Sequence, residues 1–255
     1  MEVAGEPPLI LDMGTGLRAL GHHLNLGLVP VGKPLGGNCL LTHLHYDHIL
    51  GTPFFPPMRD PGALLEIYGP SQADDSLQST MASMVKPPFF PVHMSDFRGE
   101  LRYHDLKGND GFQLGGIAIK VRTIPHIGNT LGFRIEADGA AVAYLPDHQA
   151  PVDRATVSLD VLELCDGADL LIHDAQYTEE EFVELFDWGH STPAYAVQVA
   201  NEAGVRRLDL FHHDPGHTDR QIDVMLRAAR QVAQSVGKLE VNAAKEGATF
   251  ELRKR

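Results

Sequence analysis

Three imidazoles and a carboxylate fall within six positions in His43-Leu44-His45-Tyr46-Asp47-His48, directly after a strand predicted over Asn38 to Thr42. Soluble cores seldom collect so many polar groups in one place. In extended backbone His43 and His45 share a face, and a turn beginning near Tyr46 can swing Asp47 and His48 toward a second position beside them. That is a layout for two divalent metals, with a solvated His-rich loop as the competing reading. Imidazole nitrogen and carboxylate oxygen suit Zn²⁺ first and also admit Mn²⁺ or Fe²⁺. The two cysteines, Cys39 and Cys165, stand 126 positions apart, so neither a disulfide framework nor a CxxC metal knuckle is available. Without thiolates the site reads as open and hydrolytic rather than closed and structural.

The elements that must present these groups are short. Runs ending in Gly, Pro or Asp predict strands at Leu9 to Asp12, Asn38 to Thr42, Leu64 to Tyr68, Ile117 to Thr123, Leu131 to Glu136, Ala141 to Leu145, Asp169 to His173, Arg207 to Phe211 and Thr249 to Leu252. Helices are predicted at Ser71 to Val85, Asp153 to Cys165, Thr178 to Phe186, Thr192 to Ala203 and Thr218 to Ser235. Thr192 supplies a hydroxyl cap, Pro193 sits in the first turn and Gly204 closes that helix. The last helix carries Ile222, Met225, Leu226, Ala229 and Val232 on one face, fit to pack on a sheet rather than on a second subunit, with His217 and Asp219 as caps. At 255 residues, 43% hydrophobic and 22% charged, with no low-complexity linker, the chain is expected to form one α/β sandwich domain. Met81 and Met84 read as core, and His22, His23, His93 and His104 as surface groups with no partner visible. Two PFFP runs, Pro53 to Pro56 and Pro88 to Pro91, hold Phe pairs on stiff loops. Those rings either tuck into the core or, in the first copy, form an apolar lip over a pocket.

HLHYDH matches the HxHxDH motif of the metallo-β-lactamase superfamily, and nearly the whole chain resembles the ribonuclease Z and cyclic phosphodiesterase branch of that superfamily. The resemblance implies a metallo-β-lactamase-like αββα sandwich. Taken alone, His126 reads as a core histidine and Asp147 as a turn residue. In that branch, however, a lone His follows a later strand, as His126 does 78 residues after His48. An Asp after an apolar strand then bridges both metals, and Tyr144-Leu145-Pro146-Asp147 fits that description. The branch's last ligand is a His ending a late strand. In Leu210-Phe211-His212-His213 alignment with its L-x-H pattern selects His212. His213 would face the opposite way if the strand persists, either supporting a ligand or lying on the surface. The implied assignment is His43, His45 and His126 at one metal, Asp47, His48 and His212 at the other, and Asp147 shared.

Gly189-His190-Ser191-Thr192 resembles the branch's GHST motif, whose His serves the leaving group or the transition-state charge, with a plain surface cap as the competing reading. Ile172-His173-Asp174-Ala175 resembles its HEAT motif, with Asp where Glu is usual, so Asp174 would orient His190. His173 is either a buried structural residue or a support behind the ligands. His190, Asp174 and Asp47 are the groups expected to act in catalysis. Leu11-Asp12-Met13-Gly14-Thr15-Gly16 resembles the superfamily's DxGxG turn beneath the metal loop, where Asp12 would hydrogen-bond the loop and Gly14 and Gly16 allow close backbone approach. Members usually begin with one or two earlier strands, so either the sheet is one hairpin short or the start is truncated.

The resemblance implies a metal-dependent hydrolase whose bridged metals hold a hydroxide as nucleophile. The GHST-like His190 favours phosphodiesters over the lactams, lactones or thioesters that the same core can hydrolyse. A lactonase or β-lactamase-like acyl hydrolase is the alternative, and a metal-stabilised binding module without activity is a third reading. Ribonuclease Z carries a long arm for tRNA between the third His and the bridging Asp, and the 21 residues from His126 to Asp147 leave no room for one. The charge sum, 21 − 34 = −13, with no Lys/Arg-rich run, also opposes a long nucleic acid. The expected partner is a small phosphodiester, a cyclic nucleotide or a ribose cyclic phosphate, with Phe54 or Phe55 stacking a base. No apolar run approaches the roughly 20 residues of a membrane span. The start, MEVAGEPPLIL, lacks the basic end of a signal peptide, so no membrane partner and a cytoplasmic location are expected. Dimers are common in the branch, and a homodimer stays open.

Overall fold

Two sheets carry the candidate groups at the ends of their strands. The computed structural model describes residues 1–23, 34–73 and 75–252, and the chain divides into two compact units, Met1–Lys107 and Gly108–Arg255.

In the first unit, β1 (Leu9–Leu11), β2 (Gly36–Leu40), β3 (Leu64–Pro70) and β4 (Glu100–Leu106) form a parallel sheet in the order β1-β2-β3-β4. Helices α1 (Gly16–His23), α2 (Tyr46–Ile49) and α3 (Leu77–Met84) belong to the same unit. Its core is built from Ile10, Met13, Cys39, Leu65, Ile67, Leu77 and Met81. The helix predicted from Ser71 begins only at Leu77, because the Ser76 hydroxyl accepts from Ser79 N and Asp105 accepts from Leu77 N at 2.7 Å, capping the first turn there. Strand β4 is absent from the sequence reading because its residues are mostly polar. It pairs with β3 over its whole length, sets Leu101 and Tyr103 against the core, and across the strands Glu66 takes His104 at 2.6 Å and Arg102 at 3.1 Å. His104, read as a surface group without a partner, is thus paired, and it also stacks on Tyr68.

In the second unit, β5 (Gly111–Leu114), β6 (Ile117–Thr123), β7 (Leu131–Ala137) and β8 (Ala140–Leu145) form an antiparallel meander. β9 (Leu170–Asp174), β10 (Arg207–Phe211) and β11 (Glu240–Ala243) extend it in parallel with β8, giving the order β11-β10-β9-β8-β7-β6-β5. The β7–β8 hairpin turns on Asp138 and Gly139, both at positive φ, the two-residue turn that matches strand twist. Parallel neighbours need crossovers. These are supplied by α4 (Leu159–Cys165), by α5 (Glu179–Leu185) with α6 (Pro193–Glu202), and by α7 (Asp219–Val236). The core joins Leu145, Leu171, Leu208 and Leu210 of the strands to Leu164, Val197, Ala200 and Ala229 of the helices.

Several boundaries differ from the sequence reading. Helix α4 starts at Leu159, since Asp153 accepts from the backbone of Ala155 and Thr156 and so holds a turn where helix was expected. Thr218, rather than His217 or Asp219, caps α7, in a reciprocal pair with Gln221. The strand predicted at Thr249 to Leu252 is irregular, because β11 already occupies that edge of β10 and Phe250 lies under the Arg207 guanidinium. Helices α1 and α2 and strands β5 and β11 have no counterpart in the sequence reading. Among the described residues, no helix is long and apolar enough to cross a membrane.

The end of β1 packs tightly under the histidine loop. Met13 N donates to His48 O at 2.7 Å and Gly51 N to Met13 O at 2.9 Å. A Cβ on Gly14 would lie 2.2 Å from Asp47 O, and one on Gly51 would lie 2.0 Å from Gly14 O, so both positions require glycine. Gly16, expected to serve the same approach, instead opens α1, and a Cβ there meets nothing within 4 Å. Gly51→Ala should therefore lower the unfolding free energy by about 1–3 kcal/mol, whereas Gly16→Ala should be neutral or stabilising by about 0.4–1 kcal/mol. Thermal denaturation reads both, and equal midpoints for the two variants would contradict the packing.

Candidate functional site

The first unit contributes a histidine cluster whose ring nitrogens are already committed on one side. Asp12 leaves β1 in the left-handed region, at φ 57°, and is buried. Its carboxylate accepts from Thr42 N at 2.7 Å, from Thr42 Oγ1 at 3.0 Å and from His48 Nδ1 at 2.8 Å. A carboxylate only accepts, so His48 carries a hydrogen on Nδ1, and in the neutral ring the lone pair is on Nε2, which lies 3.2 Å from Asp47 Oδ2. Thr42 gives its own hydrogen to Asp12, so its oxygen accepts from His43 Nδ1 at 3.1 Å and leaves His43 Nε2 bare as well. That nitrogen sits 2.9 Å from His45 Nδ1, and the two rings meet edge to face. His43 and His48 are buried, while His45 and Asp47 are exposed.

In the second unit, β6, β8, β9 and β10 all run in one direction, because β7 is antiparallel to both β6 and β8. Their C-terminal ends therefore deliver His126, Asp147, Asp174 and His212 to one edge of the sheet. His126 Nδ1 donates to Gly189 O at 2.6 Å, which turns Nε2 toward Asp147 Oδ2 at 3.6 Å. Gly189 is at φ 96°, and a Cβ there would strike His126 Nδ1 at 2.5 Å. His212, at φ 54°, donates from Nδ1 to Gln176 Oε1 at 2.7 Å and turns Nε2 toward Asp147 Oδ1 at 3.4 Å. Asp147 is only 1% exposed, a burial that costs several kcal/mol for a carboxylate without a compensating cation. Bare nitrogens aimed at carboxylate oxygens repel unless a cation sits among them, and imidazole with carboxylate is a donor set for divalent metals. The residues present therefore fit such ions.

Asp174 is fully buried and accepts from His190 Nδ1 at 2.8 Å, Gln176 N at 3.0 Å, and His148 N and Ser191 N at 3.2 Å each. The short carboxylate therefore reaches His190. The His190 ring stacks on His212 with centroids 4.9 Å apart and stands perpendicular to the Tyr177 ring. Behind this pair, His173 Nδ1 donates to Asp174 O at 2.7 Å, so its Nε2 accepts from His148 Nδ1 at 2.8 Å. Burial holds the His148 imidazole well below its ordinary value and lowers His173 too, keeping both neutral next to Asp174. Burial, reinforced by Asp174, Asp214 and Glu181, pushes the Tyr177 phenol up to about 12.

Other expected residues fall elsewhere. Phe55 is 3% exposed and packed in the first unit's core, where no base could stack on it. Phe54 is 49% exposed and meets Phe90 edge to face. β10 ends at Phe211 and His212 turns left-handed, so strand alternation does not place His213. Its ring is bonded to the backbone of Ala244, and burial lowers its pKa. Both thiols are buried, and burial pushes Cys165 up to about 12, which leaves it a poor ligand or nucleophile. The sequence reading missed His148, Gln176 and Tyr177, although His148 directly follows Asp147 and Gln176 stands two places after Asp174.

A family model described as the beta-lactamase superfamily domain matches residues 29–213. Ribonuclease Z of Mycobacterium bovis (strain BCG) is 28% identical over 230 residues, covering 83% of this chain and 78% of that protein. Zn²⁺-bound PqqB from Methylobacterium extorquens superposes with a TM-score of 0.69 at 18% identity, covering 99% of this chain and 86% of the other. Human tRNase Z, short form, gives 0.61 at 23% identity, covering 99% and 91%. At these identities the two structures speak for the fold alone, and the family match extends over more than half of the chain. The chain thus belongs to the beta-lactamase superfamily, has the metallo-β-lactamase fold expected from its motifs, and is a metal-dependent hydrolase.

Proposed function

We propose that the chain is a phosphodiesterase for a small substrate, a cyclic nucleotide or a ribose cyclic phosphate. His43, His45 and His126, and Asp47, His48 and His212, would hold two divalent ions, Zn²⁺ first, with Asp147 available to both. The observation that carries the reaction class is the His190–Asp174 pair, whose carboxylate is fixed by three further backbone donors. Bound divalent ions supply Lewis acidity and lower the pKa of water toward about 7. The chain's own residues do the rest. Asp174 holds the Nδ1 hydrogen of His190 and leaves Nε2 free to carry a proton to a departing alkoxide. His148 and His173, kept neutral, brace Asp174 without adding a competing charge. Gly189 O fixes the His126 ring from behind.

Phosphodiester chemistry is supported by curated relatives named ribonuclease Z. A small substrate is supported by the charge of −13 and by the β7–β8 hairpin, whose two-residue turn leaves no arm between His126 and Asp147.

Metal-loaded protein should hydrolyse bis(p-nitrophenyl) phosphate and members of a 3′,5′- and 2′,3′-cyclic nucleotide panel, and leave nitrocefin intact; the reverse pattern overturns the reaction class. His190→Ala should keep close to the wild-type metal content by elemental analysis while kcat falls about 10²- to 10⁴-fold, and loss of metal would refute its place outside the ligand set. Asp174→Asn should behave similarly. His43→Ala should lose metal and activity together, and a fully loaded variant would remove His43 from the ligands.

A further inference from the structure

We infer that Gln176 is a positioning residue that sets the tautomer of His212, through a relay that begins at Asp214. The Asp214 carboxylate is anchored by Gly216 N at 2.7 Å on Oδ1, and its Oδ2 lies 3.3 Å from Gln176 Nε2. A carboxylate offers only acceptors, so the amide nitrogen of Gln176 faces Asp214 and its oxygen is turned away. That oxygen lies 2.7 Å from His212 Nδ1. An amide oxygen also only accepts, so in the neutral ring the hydrogen of His212 is confined to Nδ1 and the lone pair to Nε2, on the side of Asp147 Oδ1 at 3.4 Å. Left to itself, a neutral imidazole can place its hydrogen on either nitrogen.

Two features make Gln176 fit for this role. Its backbone N–H binds Asp174 Oδ1 at 3.0 Å, so one residue fastens both the partner of His190 and the ring of His212, which stack on each other. Where the HEAT-like run would end in Thr, this chain has Gln, whose side chain reaches from the end of β9 to the His212 ring past the end of β10. The tautomer is a property of the chain alone; its consequence for metal binding rests on the proposed ligand role of His212.

Long-range ¹H–¹⁵N correlation spectra of the full-length protein, freed of metal, report the tautomer directly. His212 should be Nδ1-protonated in the wild type and shift toward the Nε2-protonated form in Gln176→Leu. Asp214→Asn, which keeps volume but lets the Gln176 amide turn over, should shift it in part. Zn²⁺ titrated against a chromophoric chelator should bind Gln176→Leu about 10- to 100-fold more weakly at one site. An Nε2-protonated His212 in the wild type, or an unchanged tautomer in both variants, overturns the inference. Zn²⁺ binding by a wild type that cleaves no phosphodiester would sink the proposed function and leave the relay standing.

Discussion

A bare imidazole nitrogen can face a carboxylate oxygen at close range only if a cation separates the two lone pairs, and this constraint governs the ends of both sheets. His48, His126 and His212 each give the Nδ1 hydrogen to a group that can only accept: the Asp12 carboxylate, the Gly189 carbonyl and the Gln176 amide oxygen. Each thereby turns Nε2 toward Asp47 or Asp147. Three unrelated acceptors impose one tautomer, which ties the chemistry of the site to metal binding more firmly than the residue types alone.

The backbone bears the cost of this arrangement. Asp12 and His212 both sit in the left-handed region, at φ 57° and 54°, a conformation costing about 1–3 kcal/mol for a non-glycine residue. Each stands just past a strand whose hydrogen bonding and core contacts over-determine it, β1 paired with β2 and sharing a core with Met13 and Leu41, β10 between β9 and β11. Gly14 and Gly51 let the β1 turn press against the histidine loop, and Gly189 lets a carbonyl reach His126. Asp174 is held by backbone donors from three segments, so the orientation of His190 is a property of the fold rather than of one side-chain contact.

Much of this was legible in the sequence where a residue's type fixes its role. Strands β6 and β10 coincide with the predicted ranges because β-branched and aliphatic alternation dominates there. Asp12, Asp174 and His190 announced themselves through short motifs. Legibility failed where tertiary contacts outweigh local pattern. β4 is largely polar and pairs along β3 with Leu101 and Tyr103 on the core and Glu66 bridging Arg102 and His104, and β11 is short and takes the edge of β10 while the predicted strand Thr249 to Leu252 stays irregular. Phe54 and Phe55 share one motif, yet one faces out and the other fills the core, a difference that a stiff loop does not reveal in advance. Gln176 and His148 were unreadable because their parts depend on what lies across the sheet end, Asp214 and His173, not on their neighbours in the chain.

The central claim, that the histidines are pre-set to offer Nε2 to divalent ions, is tested most directly by crystals grown with Zn²⁺ and measured at the zinc edge. Two anomalous peaks are predicted, with His48, His126 and His212 contacting them through Nε2 and with Nδ1 still bonded to Asp12, Gly189 and Gln176. Ligation through Nδ1, or a single peak that excludes Asp147, would contradict it.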